Sequence, residues 1–344
     1  MQPSAVSRQP SGKANDGRGE SEHFLCGGGH RQDWGRKVEC LWRFHAKCPS
    51  EFSLIATEVK SFTTGGTEER RGKPPRIMPT TAVQHVKRMR GGAQGHLMRC
   101  DDGHYYVVKF RNNPQHERVL ANEFLATRLA ERVGLPVPAA EVVEVPTWLV
   151  EHTAELTIVL GSHAIQVEAG LQFGSRYVVS PVEGQVLDYL PPEMLDRVRN
   201  LGTFAGILAL DKWTCNADGR QAAFWRKLRE KKYSASFIDQ GYCFNAGEWT
   251  FPDFPLRGVY PRNEVYARVN GWESFEPWLS RIEKLDEDAI WRVAGEIPPA
   301  WYGGSWDELE ALVQRLIERK TIVRELILAF RGSPRRPFPE WMEN

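Results

Sequence analysis

Apolar residues recur along this chain at two spacings, and the change from one to the other marks out its elements. The run His104-Tyr105-Tyr106-Val107-Val108-Lys109-Phe110 is β-branched and aromatic and predicts a strand. Its side chains alternate, with Tyr105, Val107 and Lys109 on one face and Tyr106, Val108 and Phe110 on the other. From about Glu117 to Val133 the spacing becomes helical: Leu120 and Phe124 form one i,i+4 pair, and Leu125, Leu129 and Val133 a second row. Gly134 and Pro136 supply the stop. Ala140–Val145, Ala154–Leu160 and Arg176–Val179 return to strand character. Beyond them the helical spacing dominates. Pro192–Leu210 predicts an amphipathic helix, with Leu195, Val198, Leu201 and Leu208 among its apolar positions, that delivers the chain to Asp211. Ser305-x-x-Glu308 forms a capping box ahead of Leu309, Leu312, Val313, Leu316 and Ile317 on one helical face.

This order predicts an α+β chain, strand-rich over 78–182 and mainly helical over 183–332, with a tail at 333–344. Ser180-Pro181-Val182-Glu183-Gly184 punctuates the boundary where a hinge is expected. Residues 1–77 are rich in Gly, Ser, Arg and Thr without periodicity, and predict a disordered basic tail. No internal repeat is apparent.

Composition changes this picture only locally. The 344 residues suffice for one large or two ordinary domains, and 12 Trp and 16 Phe supply material for a sizeable core. The net charge of +1 carries no overall signal for nucleic acid, yet residues 1–90 hold 16 Lys/Arg against 9 Asp/Glu. That basic flank is expected to be solvated. No stretch approaches the ~18 apolar residues of a membrane helix. The polar start Met1-Gln2-Pro3-Ser4 lacks an apolar export signal, which together with six scattered cysteines predicts a cytoplasmic location. Cys26, His30, Cys40, His45 and Cys48 match no compact zinc spacing.

The candidate chemistry lies in five elements in sequence order. Gly91-Gly92-Ala93-Gln94-Gly95 is a loop through which backbone N–H groups can approach an anion without intervening side chains. Lys109 ends the strand that follows, within reach of phosphates beneath such a loop. Glu123 lies beside the apolar stripe of the next helix, where it can turn inward to Lys109, with Glu117 as a competitor. Asp211, Asn216 five residues on, and Asp239 after the strand-like Ser236-Phe237-Ile238 complete an acid arrangement of the phosphoryl-transfer type. In that arrangement the first aspartate accepts a hydroxyl proton, while the asparagine and second aspartate hold Mg²⁺. Asp218-Gly219-Arg220 is expected to be a turn, with Arg220 in reach of a transferred phosphate. Lys212 stands one residue from Asp211 and receives no role.

In this order the elements resemble the protein-kinase-like superfamily, and in detail the HipA-like kinases of bacteria. The resemblance spans about Val83 to Phe330, and the phrases Gly134-Leu135-Pro136-Val137-Pro138 and Phe173-Gly174-Ser175-Arg176-Tyr177 look like that family too. It implies a bilobal fold and an ATP- and Mg²⁺-dependent transfer to a hydroxyl, first of all a protein Ser/Thr. A small-molecule or lipid acceptor, or a nucleotide-binding pseudokinase, are the alternatives. In the resemblance Lys109, held by Glu123, neutralises the nucleotide phosphates under Gly91–Gly95, Asp211 is the base, and Asn216 and Asp239 bind the metal. The departures are specific. The loop is not Gly-x-Gly-x-x-Gly, Gln240 follows Asp239 where an aromatic residue is usual, and Gly91–Leu97 contains no Ser or Thr to be phosphorylated. No HipB-like partner is implied.

Overall fold

The computed structural model describes residues 78–342, which fall within one compact unit; the expected tail over 1–77 and the cysteines before Cys100 lie outside the described residues. The strand-rich part comprises β1 (Thr80–Arg88), β2 (His96–Cys100), β3 (Tyr105–Lys109), α1 (Val119–Arg132), β4 (Ala140–Val145), α2 (Thr147–Glu151), β5 (Thr157–Leu160), β6 (His163–Gln166) and β7 (Gly170–Arg176). Beyond it come β8 (Gly184–Leu187), α3 (Thr203–Trp213), β9 (Gln221–Lys227), β10 (Ser234–Ile238), α4 (Trp278–Glu283), α5 (Glu287–Gly295), α6 (Trp306–Arg319) and α7 (Val323–Arg331). The fold is therefore mixed α+β, strand-rich at first and mainly helical later. No helix among the described residues is long and apolar enough to cross a membrane.

Five strands close a barrel in the order β1-β2-β3-β7-β4, antiparallel except for a short parallel contact of β1 with β4. Its interior holds Met98, Tyr106, Val108, Phe110 and Val143, which fits the alternation read along β3. A larger core joins α1 to the helical part through Leu120, Phe124, Phe204, Trp213, Phe224, Phe237 and Trp301. The buried indoles also find acceptors: Trp213 donates to the Leu316 carbonyl at 2.8 Å and Trp301 to the Leu171 carbonyl at 3.0 Å.

The stop of α1 follows the sequence signal. Gly134 has φ +78°, its N–H reaches the Glu131 carbonyl at 3.0 Å, and the Leu135 N–H reaches Ala130 at 2.9 Å. That is a Schellman closure, in which glycine accepts the left-handed backbone. Other expectations need correction. Strand β7 begins at Gly170, well before Arg176, because glycines and a glutamine hide its alternation while both neighbouring strands supply hydrogen bonds. Pro192–Leu210 is not one helix: a 3-10 segment over Pro192–Arg197 precedes α3, and Asn200 ties the break to β10 through the Ala235 backbone. Ser305 does precede α6 with extended backbone, but its side chain makes no capping hydrogen bond. Most relevant to the site, α3 continues through Asp211 to Trp213.

Candidate active site

Lys109, Glu123 and Asp239 come from three separate elements and meet at one point. β3 carries Lys109 at its end, α1 presents Glu123 on its buried face, and Asp239 follows β10 directly. The Lys109 Nζ donates to Glu123 Oε1 and, at 2.9 Å, to Asp239 Oδ1. Glu117, the competitor on the same segment, is exposed. Glu123 also accepts the Gln240 N–H at 3.0 Å and the Gly241 N–H at 2.8 Å, so one carboxylate fixes both the lysine and the turn after Asp239. Gly241 has no room for a side chain, since a Cβ would lie 2.7 Å from Val119 and 3.1 Å from Glu123 Oε1. Asp239 itself has φ +65°, a left-handed conformation that aspartate tolerates better than most residues.

The electrostatics follow from this geometry. Burial works against the charged lysine, but two carboxylates outweigh it and hold the Lys109 ammonium above the ordinary lysine range. Burial pushes the Asp239 carboxyl up, yet Lys109 beside it prevails and its net direction is down. For Glu123 burial dominates, aided by the second carboxylate, and its direction is up despite Lys109. One cation and two carboxylates leave the ionised cluster at a net charge of −1. The cluster is open at the Asp239 side chain, which is 21% exposed; among the described residues its Oδ2 accepts a hydrogen bond only from the amide of exposed Gln221, at 2.8 Å.

The glycine loop lies next to this point. Gly95 backs onto β3, where an added Cβ would stand 3.0 Å from Val107 and 3.7 Å from the Lys109 side chain. Gly91 has φ +113° and Gln94 φ +48°. The loop is pinned by the Gln94 side chain, which exchanges two hydrogen bonds with the Val159 backbone at 2.9 and 2.7 Å, and by Asn113 donating to the Ala93 carbonyl at 2.8 Å. Gly92 completes the turn.

Asp211 and Asn216 are placed differently from the sequence expectation. Both are 1% exposed, Asp211 within α3 and not on the loop after it. Arg220, equally buried, grips Asp211 with two nitrogens: its Nε lies 2.9 Å from Oδ2, and its Nη2 pairs with Oδ1. Asn216 donates to Asp211 Oδ1 at 2.9 Å and accepts the Asp218 N–H at 3.1 Å, so both ends of its amide are engaged. Gly258, at φ +64°, seals this cluster, since a Cβ would meet those of Asp211 and Asn216 at 2.8 and 3.1 Å. Among the described residues no hydrogen bond or ion pair joins Asp211 or Asn216 to the Asp239 carboxylate. Arg220 is also bound on its other side, where its Nη1 donates to the Ile238 carbonyl at 2.9 Å and to the Gln240 side chain. Lys212 turns away, onto the carbonyls of Pro255 and Arg257 at 2.8 and 2.7 Å, and burial brings its ammonium down to about 8.

Two residues without an assigned role lie in the segment that leads into β9. Gln221 touches Asp239, and Asp218 is the exposed carboxylate of the preceding turn, its Oδ1 accepting the Gly219 N–H at 2.7 Å. The available signal was a polar Asp-Gly-Arg-Gln run directly before the apolar Ala222-Ala223-Phe224.

Residues 83–226 match the model of the family described as HipA-like kinase, so the resemblance drawn from the motifs holds over that stretch. No curated protein matches the chain. Solved structures to which this chain is similar include the Helicobacter pylori proinflammatory kinase CtkA (14% identity, 75% of this chain and 99% of that one, TM-score 0.48). A Golgi casein kinase is similar at 13% identity, over 74% of this chain and 75% of that one, with a TM-score of 0.47. HipA of Shewanella oneidensis MR-1, in a complex with HipB and operator DNA, is similar at 14% identity over 76% and 69%, with a TM-score of 0.36.

Proposed function

We propose that this protein is an ATP- and Mg²⁺-dependent phosphotransferase whose acceptor is a hydroxyl, in the first place a protein Ser or Thr. The observation that carries the reading is the Lys109–Glu123–Asp239 cluster: buried, net negative, and open along the Asp239 carboxylate. In this reading the strand-rich part is a small lobe and the helical part a large one, with the nucleotide between them and Ser180–Gly184 as hinge. Gly91, Gly92, Ala93, Gln94 and Gly95 cover the phosphates through their backbone. Lys109, extended by Glu123, places a fixed positive charge against them. Asp239 offers hard oxygen to a divalent ion, and such an ion when bound neutralises and orients the phosphate oxygens. The donor chemistry at Asp239 fits that ion, whereas the Asn216 amide is already committed to Asp211 and to the Asp218 backbone.

The buried state of Asp211 bears on the base. The Asp211 carboxylate is 1% exposed and both its oxygens are held, by three hydrogen bonds from Arg220 and Asn216, so it does not present an open face to an acceptor. Asp218 is solvent-open in the loop after α3, three residues before Gln221, and its N–H is anchored on Asn216, which in turn holds Asp211. The acceptor oxygen bonds to the γ-phosphorus, and the bond from that phosphorus to the bridging oxygen breaks. The electron pair leaves with ADP, and the hydroxyl proton passes to the Asp218 carboxylate. Incubation with γ-labelled ATP and Mg²⁺, with and without cell lysate, tests the reading. Label on protein bands supports it, label confined to small molecules moves the acceptor class, and nucleotide binding without transfer overturns it.

A further inference from the structure

We infer that Gln221 is the neutral side chain that shares the divalent cation with Asp239, in the place the spacing gives to Asn216. This rests on the phosphotransferase reading and assigns one ligand within it. Gln221 is the first residue of β9 and pairs directly with Ile238, the residue before Asp239. The sheet therefore sets the two side chains next to each other, independently of any loop conformation. The contact already exists, with Gln221 Nε2 on Asp239 Oδ2 at 2.8 Å.

A glutamine amide offers a donor at one end and an acceptor at the other. Here the donor faces the carboxylate, and among the described residues the Gln221 Oε1 accepts no hydrogen bond. Turning the exposed amide about its last torsion exchanges Nε2 for Oε1 and directs a hard carbonyl oxygen to a cation on Asp239. No buried contact is lost in the turn. Asn216 has no such freedom, because moving its amide breaks one bond to Asp211 and another to the Asp218 backbone inside a sealed cluster. Charge also favours this choice. The Lys109–Glu123–Asp239 cluster already carries the negative charge that attracts a cation, so a neutral ligand adds an oxygen without another buried anion. Magnesium-type sites commonly use one or two carboxylates, with waters and phosphate oxygens filling the remaining positions.

The test uses the full chain with ADP and Mn²⁺ as probe, counting free Mn²⁺ by electron paramagnetic resonance. Gln221→Ala is expected to weaken Mn²⁺ binding about tenfold or more at an unchanged melting temperature, since the side chain is exposed. Gln221→Glu is expected to keep or tighten it. Wild-type Mn²⁺ affinity in Gln221→Ala, with affinity lost in Asp239→Ala, overturns the assignment of Gln221 while leaving the site on Asp239. Wild-type affinity in Asp239→Ala itself overturns the phosphotransferase reading of the cluster instead.

Discussion

Two buried ionic clusters grip the turn after β10 from opposite sides. Glu123 accepts the N–H groups of Gln240 and Gly241, and Arg220 donates to the carbonyl of Ile238 and the side chain of Gln240. Their difference is one of charge balance and access. Asp211 and Arg220 are one anion and one cation, sealed by Asn216 and Gly258, with both carboxylate oxygens and all three guanidinium nitrogens engaged. Lys109, Glu123 and Asp239 are one cation and two anions with an edge in solvent. A balanced, closed pair has nothing left to offer a ligand, and its value is to hold backbone in place. An unbalanced, open one is costly by itself and becomes favourable when a cation joins it. Type of residue does not distinguish the two aspartates; their unsatisfied valence does.

The sharpest way to break this contrast is Asp239→Asn, which keeps the shape and removes the charge. Phosphotransfer is expected to fall by roughly three to four orders of magnitude, on the order of 4–5 kcal/mol in barrier, with the fold retained by circular dichroism. Asp211→Ala should act on the other quantity. It leaves the Arg220 guanidinium buried without its partner, at a cost of about 3–5 kcal/mol, read as a large drop in melting temperature. Replacing both Asp211 and Arg220 by leucine should recover much of that loss, and failure to recover any would mean Asp211 does more than balance Arg220.

Lys212, next to the sealed pair, gives the pH dependence. Its folded value of about 8 lies below the ordinary lysine value near 10.4, so between the two the unfolded chain binds the extra proton. Stability contributed at this site therefore rises with pH across that window, by at most roughly 3 kcal/mol. Urea unfolding at pH 7.5 and 10 should show the rise in the wild type and a flatter profile in Lys212→Met. The smallest effect expected is for Asp218→Asn: turnover down about a hundredfold at an unchanged melting temperature. An Asp211→Asn protein that loses turnover without losing stability, while Asp218→Asn keeps it, would return the base to Asp211.

Legibility in the sequence followed the range of the interactions. The alternation along β3 and the stripe of α1 are local, and the structure shows both close to where the spacing puts them. The pairing of Lys109 with Glu123 was also within reach, because a strand-end lysine and an inward carboxylate 14 residues later have few other ways to be satisfied. β7 was only partly visible, since a strand held between two neighbours can carry glycines that an isolated pattern would exclude. The clearest error lay at α3. Expecting its end at Leu210 put Asp211 on a loop, whereas three more helical residues turn that carboxylate inward to Arg220.

By itself the sequence determined the order of the elements, the strand-rich and helical parts, and the set of polar residues available for chemistry. Hydrophobic spacing and glycine punctuation are local properties, so they survive without coordinates. Which aspartate stays open was decided by tertiary structure alone. Arg220 reaches Asp211 across nine residues, and the β9–β10 register carries Gln221 to Asp239 across eighteen. A spacing of five between an aspartate and an asparagine is the same whether the pair faces a substrate or a buried guanidinium. The difference is whether the folded chain fills the carboxylate's remaining lone pairs, and only packing decides that.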